Sequence, residues 1–173
     1  MQTNLYSGMK TKQIQLTVRK RDVYNEVAKT TAYAGSKQMS AEDEQAYDRV
    51  FTTDEDRLML ERYFGEAGDD IVNSLPTSYI VEVSSYNTGI GIDLDADFRL
   101  TLQVPDAFPD ALTASVEATM SFYFTTYIVS QWLALQKDDT AAVYAGKAQV
   151  FLGNISLLLH RRIRPVRLKT RPF

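Results

Sequence analysis

The period with which apolar and polar residues alternate changes several times along the chain, and each change marks an element. Val23, Val27, Thr30 and Ala34 recur at helical spacing, which predicts a first helix stopped at Gly35. Just before it, Ile14, Leu16 and Val18 alternate with polar residues as a short strand would. Thr17 equally suits an N-cap, and the helix start is the preferred reading. A second short turn of helix falls within Ser40 to Asp48. Thr53 with Asp56 three residues later resembles a capping box with aspartate in place of glutamate, so a helix is expected to begin near Asp54. Leu58, Leu60, Phe64, Ala67, Ile71, Val72 and Leu75 give it one buried stripe, Gly65 and Gly68 weaken its middle, and Pro76 ends it.

After Pro76 the period becomes two. Ile80, Glu82 and Ser84 face one way and Val81, Val83 and Ser85 the other. Phe98, Leu100, Leu102 and Val104 alternate with Arg99, Thr101 and Gln103. Asn87, Gly89 and Gly91 supply turn chemistry between these strands, so an extended antiparallel hairpin is expected. A lone hairpin is marginal in water. It either lies on the helices or projects and completes its sheet with another copy of the chain.

Pro105 and Pro109 bracket a turn, and Asp110 favours a helix N-terminus. Leu112, Val116, Met120, Phe124, Tyr127, Ile128, Trp132 and Leu135 then form one broad stripe of a long helix, with Phe122 and Tyr123 pointing to burial on a second side. Lys137 to Asp139 is a tight break, after which Asp139 caps a last helix. That helix carries Val143, Ala148, Val150, Phe151, Ile155, Leu158, Leu159 and Ile163 and returns antiparallel to its predecessor. Pro165 ends regular structure. The expected fold is mainly α: a helical bundle with a long C-terminal helical hairpin, an inserted extended β-hairpin and an extended C-terminal arm. Residues 1–163 form a single helical domain with the hairpin at about 79–104, and 164–173 form the basic arm.

Composition narrows the chemistry. The 173 residues are 45% hydrophobic and 24% charged, proportions of a chain that folds. No cysteine is present, which removes disulfides, thiolate zinc sites and cysteine nucleophiles. His160 is the one histidine, which nearly removes serine–histidine triads. Met1 to Gln15 lacks the apolar stretch of a secretory signal, so a cytoplasmic origin is expected. Ala118 to Gln136 carries no charge and is long enough to span a bilayer, but its polar residues, among them Thr125, Gln131 and Gln136, favour burial in protein, and no membrane partner is expected.

The remaining signals have bland readings. Asp93, Asp95 and Asp97 match half of a calcium loop, yet Phe98 stands where glycine is required and Val104 where the bidentate glutamate belongs. Gly89 and Gly91 are turn residues rather than a phosphate cradle. His160 suits a helix C-terminus, Asp69 with Asp70 an acidic helical surface, and Trp132 a core. No catalytic residue, metal ligand or cofactor is expected.

Charge is unevenly divided. The net −3 hides six bases and no acid between His160 and Phe173 (Arg161, Arg162, Arg164, Arg167, Lys169, Arg171) against 13 bases and 22 acids before them. Glu42 to Asp70 is the acidic stretch, while Lys10 to Lys37 leans basic. Pro165 and Pro172 keep the basic tail out of a helix and Phe173 adds an apolar group, so it reads as a docking arm for an acidic surface or for nucleic-acid phosphate. The acidic body repels DNA and the arm is poor in stacking aromatics, which favours a protein partner.

The segment VSQWLALQKDDTAAVYAGKAQVFLGNISLLLHRRIRPVR combines a Trp-containing helix, a short polar break, an alanine-rich helix with Tyr144 and closing bases around Pro165. With the layout from Asp54 to Arg167, it resembles the head–tail connector (adaptor, or neck ring) proteins of tailed bacteriophages. The resemblance implies a structural virion protein, not an enzyme, made in the host cytoplasm and located in the virion neck. It implies a dodecameric ring of this chain between portal and tail, with genomic DNA passing through the lumen without specific binding. Its partners would be itself, the portal protein and downstream neck or tail proteins. Arg161, Arg162, Arg164, Pro165, Arg167, Lys169, Arg171 and Phe173 would dock in the portal. The hairpin residues Ile80, Val81, Val83, Phe98, Leu100 and Leu102 would meet neighbouring subunits, and the acidic stretch from Glu42 to Asp70 would face the lumen. The alternatives are a helical nucleic-acid-binding or regulatory module that uses the basic arm, and a small hydrolase that uses Asp69, Asp70 and a divalent ion.

Overall fold

The first element of the computed structural model, which describes residues 10–38, 52–84 and 96–162, is a strand and not the expected helix cap. Strand β1 (Thr11–Val18) sends Ile14, Leu16 and Val18 into the core. It pairs antiparallel with β3 (Phe98–Pro105) along its whole length, from Thr11 opposite Pro105 to Val18 opposite Phe98. A capping residue is local, whereas a strand needs a partner, and here the partner lies far along the chain. The period-two pattern therefore prevails over Thr17, whose N–H is taken by Glu117 at 2.8 Å.

Helix α1 (Lys20–Gln38) follows and runs through Gly35, which is buried, instead of stopping there. Thr31 lies on its inner face and meets the Thr52 hydroxyl at 3.2 Å. The capping box is present: the Thr53 N–H donates to Asp56 Oδ2 at 2.7 Å. A 3-10 turn over Asp54–Asp56 leads into α2 (Arg57–Ser74), and the chain leaves the helix at Leu75 ahead of Pro76. Its buried stripe contains Leu60, Phe64, Ala67 and Ile71 as expected, and Tyr63 in addition. Leu58 is a correction: it sits two residues off that stripe, on the opposite side of a 3.6-residue turn, and is 75% exposed.

Strand β2 (Ile80–Val83) pairs with β3 on the side away from β1, giving a three-stranded antiparallel sheet in the order β1-β3-β2. A register shift between Ile80 and Glu82 breaks the strict alternation read from the sequence. Ile80 and Val83 are both half-buried, while Val81 and Glu82 are exposed. The antiparallel pairing of the two hairpin strands stands; the connecting residues 85–95 lie outside the described residues, as does the Ser40 to Asp48 turn. What changes is the sheet's completion. β3 is central, β1 of the same chain fills the edge that the projecting alternative would have left to a second copy, and the strands lie on the helices as in the other alternative.

A turn stabilised by the Phe108 N–H donating to the Pro105 carbonyl (2.8 Å) and a 3-10 turn over Asp110–Leu112 lead into α3 (Thr113–Leu135). Val116, Met120, Tyr123, Phe124, Ile128, Trp132 and Leu133 are buried there, so the uncharged run from Ala118 to Gln136 serves the core. Phe122 and Leu135 are corrections, since both turn outward. Lys137 takes a left-handed conformation (φ 59°), which reverses the chain. The expected cap at Asp139 is a correction: Thr140 stands at the N-cap of the next element with no side-chain cap bond, and Asp138 Oδ1 closes the turn before it by accepting from the N–H and hydroxyl of Thr140, both at 2.7 Å.

Helix α4 (Ala141–Leu159) then packs back along α3. Only Ala148, Ile155 and Leu159 of it are buried, whereas Val143 and Val150 face outward. Among the described residues, α4 is the one helix long and apolar enough to cross a membrane by length and composition. The molecule is thus mostly helical with a small antiparallel sheet. One hydrophobic cluster joins the inner face of the sheet to α1, α2, α3 and the inner edge of α4.

Candidate functional site

The residues singled out by sequence fall in four places. At the end of α4, His160 is exposed, its Nδ1 is 2.7 Å from the Ser156 carbonyl oxygen and its ring stands 5.8 Å from that of Tyr79. The Arg162 guanidinium donates to the carbonyls of Leu159 (2.8 Å) and Arg161 (2.9 Å). Carbonyls at a helix C-terminus lack intrahelical donors and carry partial negative charge, so the Arg162 guanidinium complements the end of α4. Arg161 points into solvent. Arg164, Pro165, Arg167, Lys169, Arg171 and Phe173 lie outside the described residues, as does Ile163.

The hairpin residues need correction. Phe98, Leu100 and Leu102 have no exposed surface at all, because β3 is the central strand and their side chains pack onto the helices. They cannot present side chains to a neighbouring subunit. Val81 alone of the six named positions is exposed, with Ile80 and Val83 at the half-buried edge. Asp93 and Asp95 lie outside the described residues, and Asp97 sits 3.8 Å from Arg99.

The acidic helix is engaged with the chain's own tyrosines. Glu66 and Asp70 on α2 are four residues apart, as are Tyr123 and Tyr127 on α3, so the two pairs meet as matching rungs. The Tyr123 hydroxyl donates to Asp70 Oδ2 at 2.8 Å and the Tyr127 hydroxyl to Glu66 Oε2 at 3.3 Å, while Arg62 Nε donates to the other oxygen of Glu66 at 2.9 Å. Asp70 is thereby turned toward α3 while Asp69 is exposed, so the two do not converge as an acid–base pair. Among the described residues, no cluster of histidine, aspartate or glutamate is placed to hold a metal ion. In the sequence Tyr123 reads only as extra burial; the coincidence of two i, i+4 pairs is the signal of its partnership with α2.

A second network passed unnoticed in the sequence. Lys20 at the start of α1 is fully buried, ion-paired with Glu61 of α2, and its ammonium lies 5.1 Å from the centre of the Phe64 ring. The Tyr24 hydroxyl donates to the second oxygen of Glu61 at 2.9 Å. Glu61, Glu66 and Asp70 therefore look inward, leaving less of the acidic stretch to face any outer partner than its composition suggested.

Burial raises the pKa of Tyr24, Tyr123 and Tyr127, with the adjoining carboxylates adding to the shift; Tyr127 is pushed up to about 12. These phenols remain donors at neutral pH. In the unfolded chain they ionise near the ordinary value of 10.0, so their stabilisation is complete below that pH and is lost as pH rises through the folded-state values. The urea midpoint is expected to hold steady up to about pH 10 and fall toward pH 12; a flat midpoint across that window would contradict the assignment.

Between α3 and α4 lies an open cavity of about 240 Å³ lined by Tyr127, Ser130, Gln131, Ala145, Gly146, Ala148 and Gln149. Its lining holds no carboxylate, histidine or lysine, so it offers no general acid or base near neutrality. Among the described residues, three surfaces are candidates for association: the basic end of α4, the edge of β2 and the outward face of α4. Comparison with family models, with curated proteins and with solved structures gives no match.

Proposed function

We propose that the chain is a structural protein of tailed-bacteriophage particles, a head–tail connector that forms an oligomeric ring between portal and tail around the DNA channel. The observation that carries this reading is the junction of the α3–α4 hairpin with a basic run. Where α4 stops, six bases and no acid follow, attached to a body of opposite net charge.

Physical chemistry supports an arm that docks. Arg162, the residue from which the arm continues in sequence, is fixed on the carbonyls at the end of α4. Pro165 and Pro172 disfavour continuation of the helix, so the arm presents its arginines along an extended segment. Arginine pairs well with carboxylates in bidentate geometry, and ordering such a segment is offset by contacts made along its length. An acidic groove of the portal protein suits it. Ile80, Val81 and Val83 on the edge strand β2 are the hairpin residues left to meet a neighbouring subunit or the next neck protein. The chain carries no catalysis in this role, and DNA passes it without specific binding.

Deleting Arg164 to Phe173 is the test. The shortened chain is expected to keep its circular dichroism and melting temperature and to lose co-sedimentation with portal particles. Unchanged co-sedimentation would refute docking through the arm. If the arm instead binds phosphate, the intact chain will bind DNA with an affinity that falls about a thousandfold or more between low and moderate salt.

A further inference from the structure

The outward face of α4 has an ordered composition. Val143, Val150 and Leu157 recur every seven residues and are 57%, 61% and 67% exposed. Gly146 and Gly153 fall between them, three residues after each valine, so the face reads as a heptad seam of large and minimal side chains in alternation. A Cβ placed on either glycine would meet nothing within 4 Å, so the chain's own packing does not require glycine there. Glycine in an exposed helix interior weakens the helix. The only charged side chain of α4, Lys147, lies 5.1 Å from the centre of the Tyr144 ring and off this seam.

We propose that a second copy of this chain covers the seam, α4 against α4, antiparallel about a two-fold axis. Shape and charge select this occupant together. In antiparallel seams the two heptad positions face each other, so Val150 lies opposite the second copy's Gly153, Leu157 opposite its Gly146 and Val143 opposite its His160. Every large residue then enters the space above a glycine or beside the imidazole. The same register places Arg161 opposite the second copy's Ala142, three residues or about 4.5 Å along the axis from Asp139, within reach of an arginine side chain. Asp139 and Arg161 are both exposed and stand at opposite ends of α4. A parallel pairing would bring like charges together at both ends. Because the contact uses the same patch on both copies, it closes after two. It is therefore separate from any ring contact and independent of the connector reading.

Sedimentation velocity on the full chain over a range of concentrations tests the pairing. The chain is expected to dimerise reversibly, and Val150→Glu, which changes an exposed residue, is expected to leave a folded monomer with an unaltered circular dichroism spectrum. Arg161→Glu should weaken the dimer about tenfold, since two ion pairs become repulsive, and adding Asp139→Arg to the same chain should restore it. A wild-type chain monomeric at all concentrations would overturn the proposal, as would a double variant no tighter than Arg161→Glu alone. Flotation of the chain with phosphatidylserine vesicles, abolished by Val150→Glu, would overturn it in favour of a lipid surface. Portal co-sedimentation retained by Val150→Glu would show that the two contacts are separate; its loss would overturn that separation.

Discussion

Replacing Glu61 with leucine is expected to lower the stability of the fold by about 3–5 kcal/mol, measured by urea denaturation at neutral pH. Lys20 is fully buried, and Glu61 supplies its carboxylate partner as well as the acceptor for the Tyr24 hydroxyl. Removing Glu61 takes a carboxylate partner from the buried Lys20 ammonium and the acceptor from the Tyr24 hydroxyl, and the poorer compensation of the cation's desolvation dominates the loss. Lys20→Met combined with Glu61→Leu should recover most of that stability, because two apolar side chains of similar volume replace both charges. A Glu61→Leu variant within about 1 kcal/mol of wild type would mean that Lys20 is solvated or paired elsewhere. The pair joins the start of α1 to α2 and so helps to hold the bundle that carries the α3–α4 hairpin.

Phe124→Ala is expected to cost a similar amount, about 3–5 kcal/mol. The Phe124 ring lies 4.5 Å from that of Phe64 on α2, 5.3 Å from Phe98 on β3 and 6.4 Å from its neighbour Tyr123, and it has no exposed surface. Truncation removes the transfer free energy of the ring and leaves a cavity walled by three elements that cannot all close on it. Phe122→Ala is the control two residues away. Phe122 is 57% exposed and meets Phe151 at 5.6 Å, so its truncation should cost far less. Equal losses at the two positions would contradict the packing described.

How legible the fold was depends on how local each signal was. The helix from Arg57 was readable because Thr53 and Asp56 cap it within one turn and Pro76 lies just beyond its end. β3 was readable because Phe98, Leu100, Leu102 and Val104 face one core and its outward positions are polar. β1 carried the same period-two signal in Ile14, Leu16 and Val18. It was misread because only the pairing with Phe98–Pro105, far away in sequence, separates a strand from a helix entry. The bulge at Ile80 to Glu82 was hidden for the same reason, since a register shift is a property of two strands. Leu58 and Leu135 read as members of buried stripes, although apolar side chains are common on surfaces and only their phase around the helix decides.

The candidate site was less legible than the fold. The absence of cysteine and the single histidine removed whole classes of chemistry at once. The carboxylates of α2 looked like a surface until Tyr123, Tyr127, Lys20 and Tyr24 arrived from other elements, and partners of that kind leave no mark at fixed spacing. The basic end of α4 was plain from charge alone. The alternation of valine and glycine on the outer face of α4 became informative only once the helix was known to bury so few of its own residues.

Imaging of the native assembly of this chain, by electron cryomicroscopy, tests the proposed connector role most directly. The account predicts a ring of copies beneath the portal, each with its C-terminal arm inserted into portal density and DNA passing through the lumen. Copies found away from the portal, or a ring whose basic arms lie on nucleic acid with no contact to the portal, would contradict it.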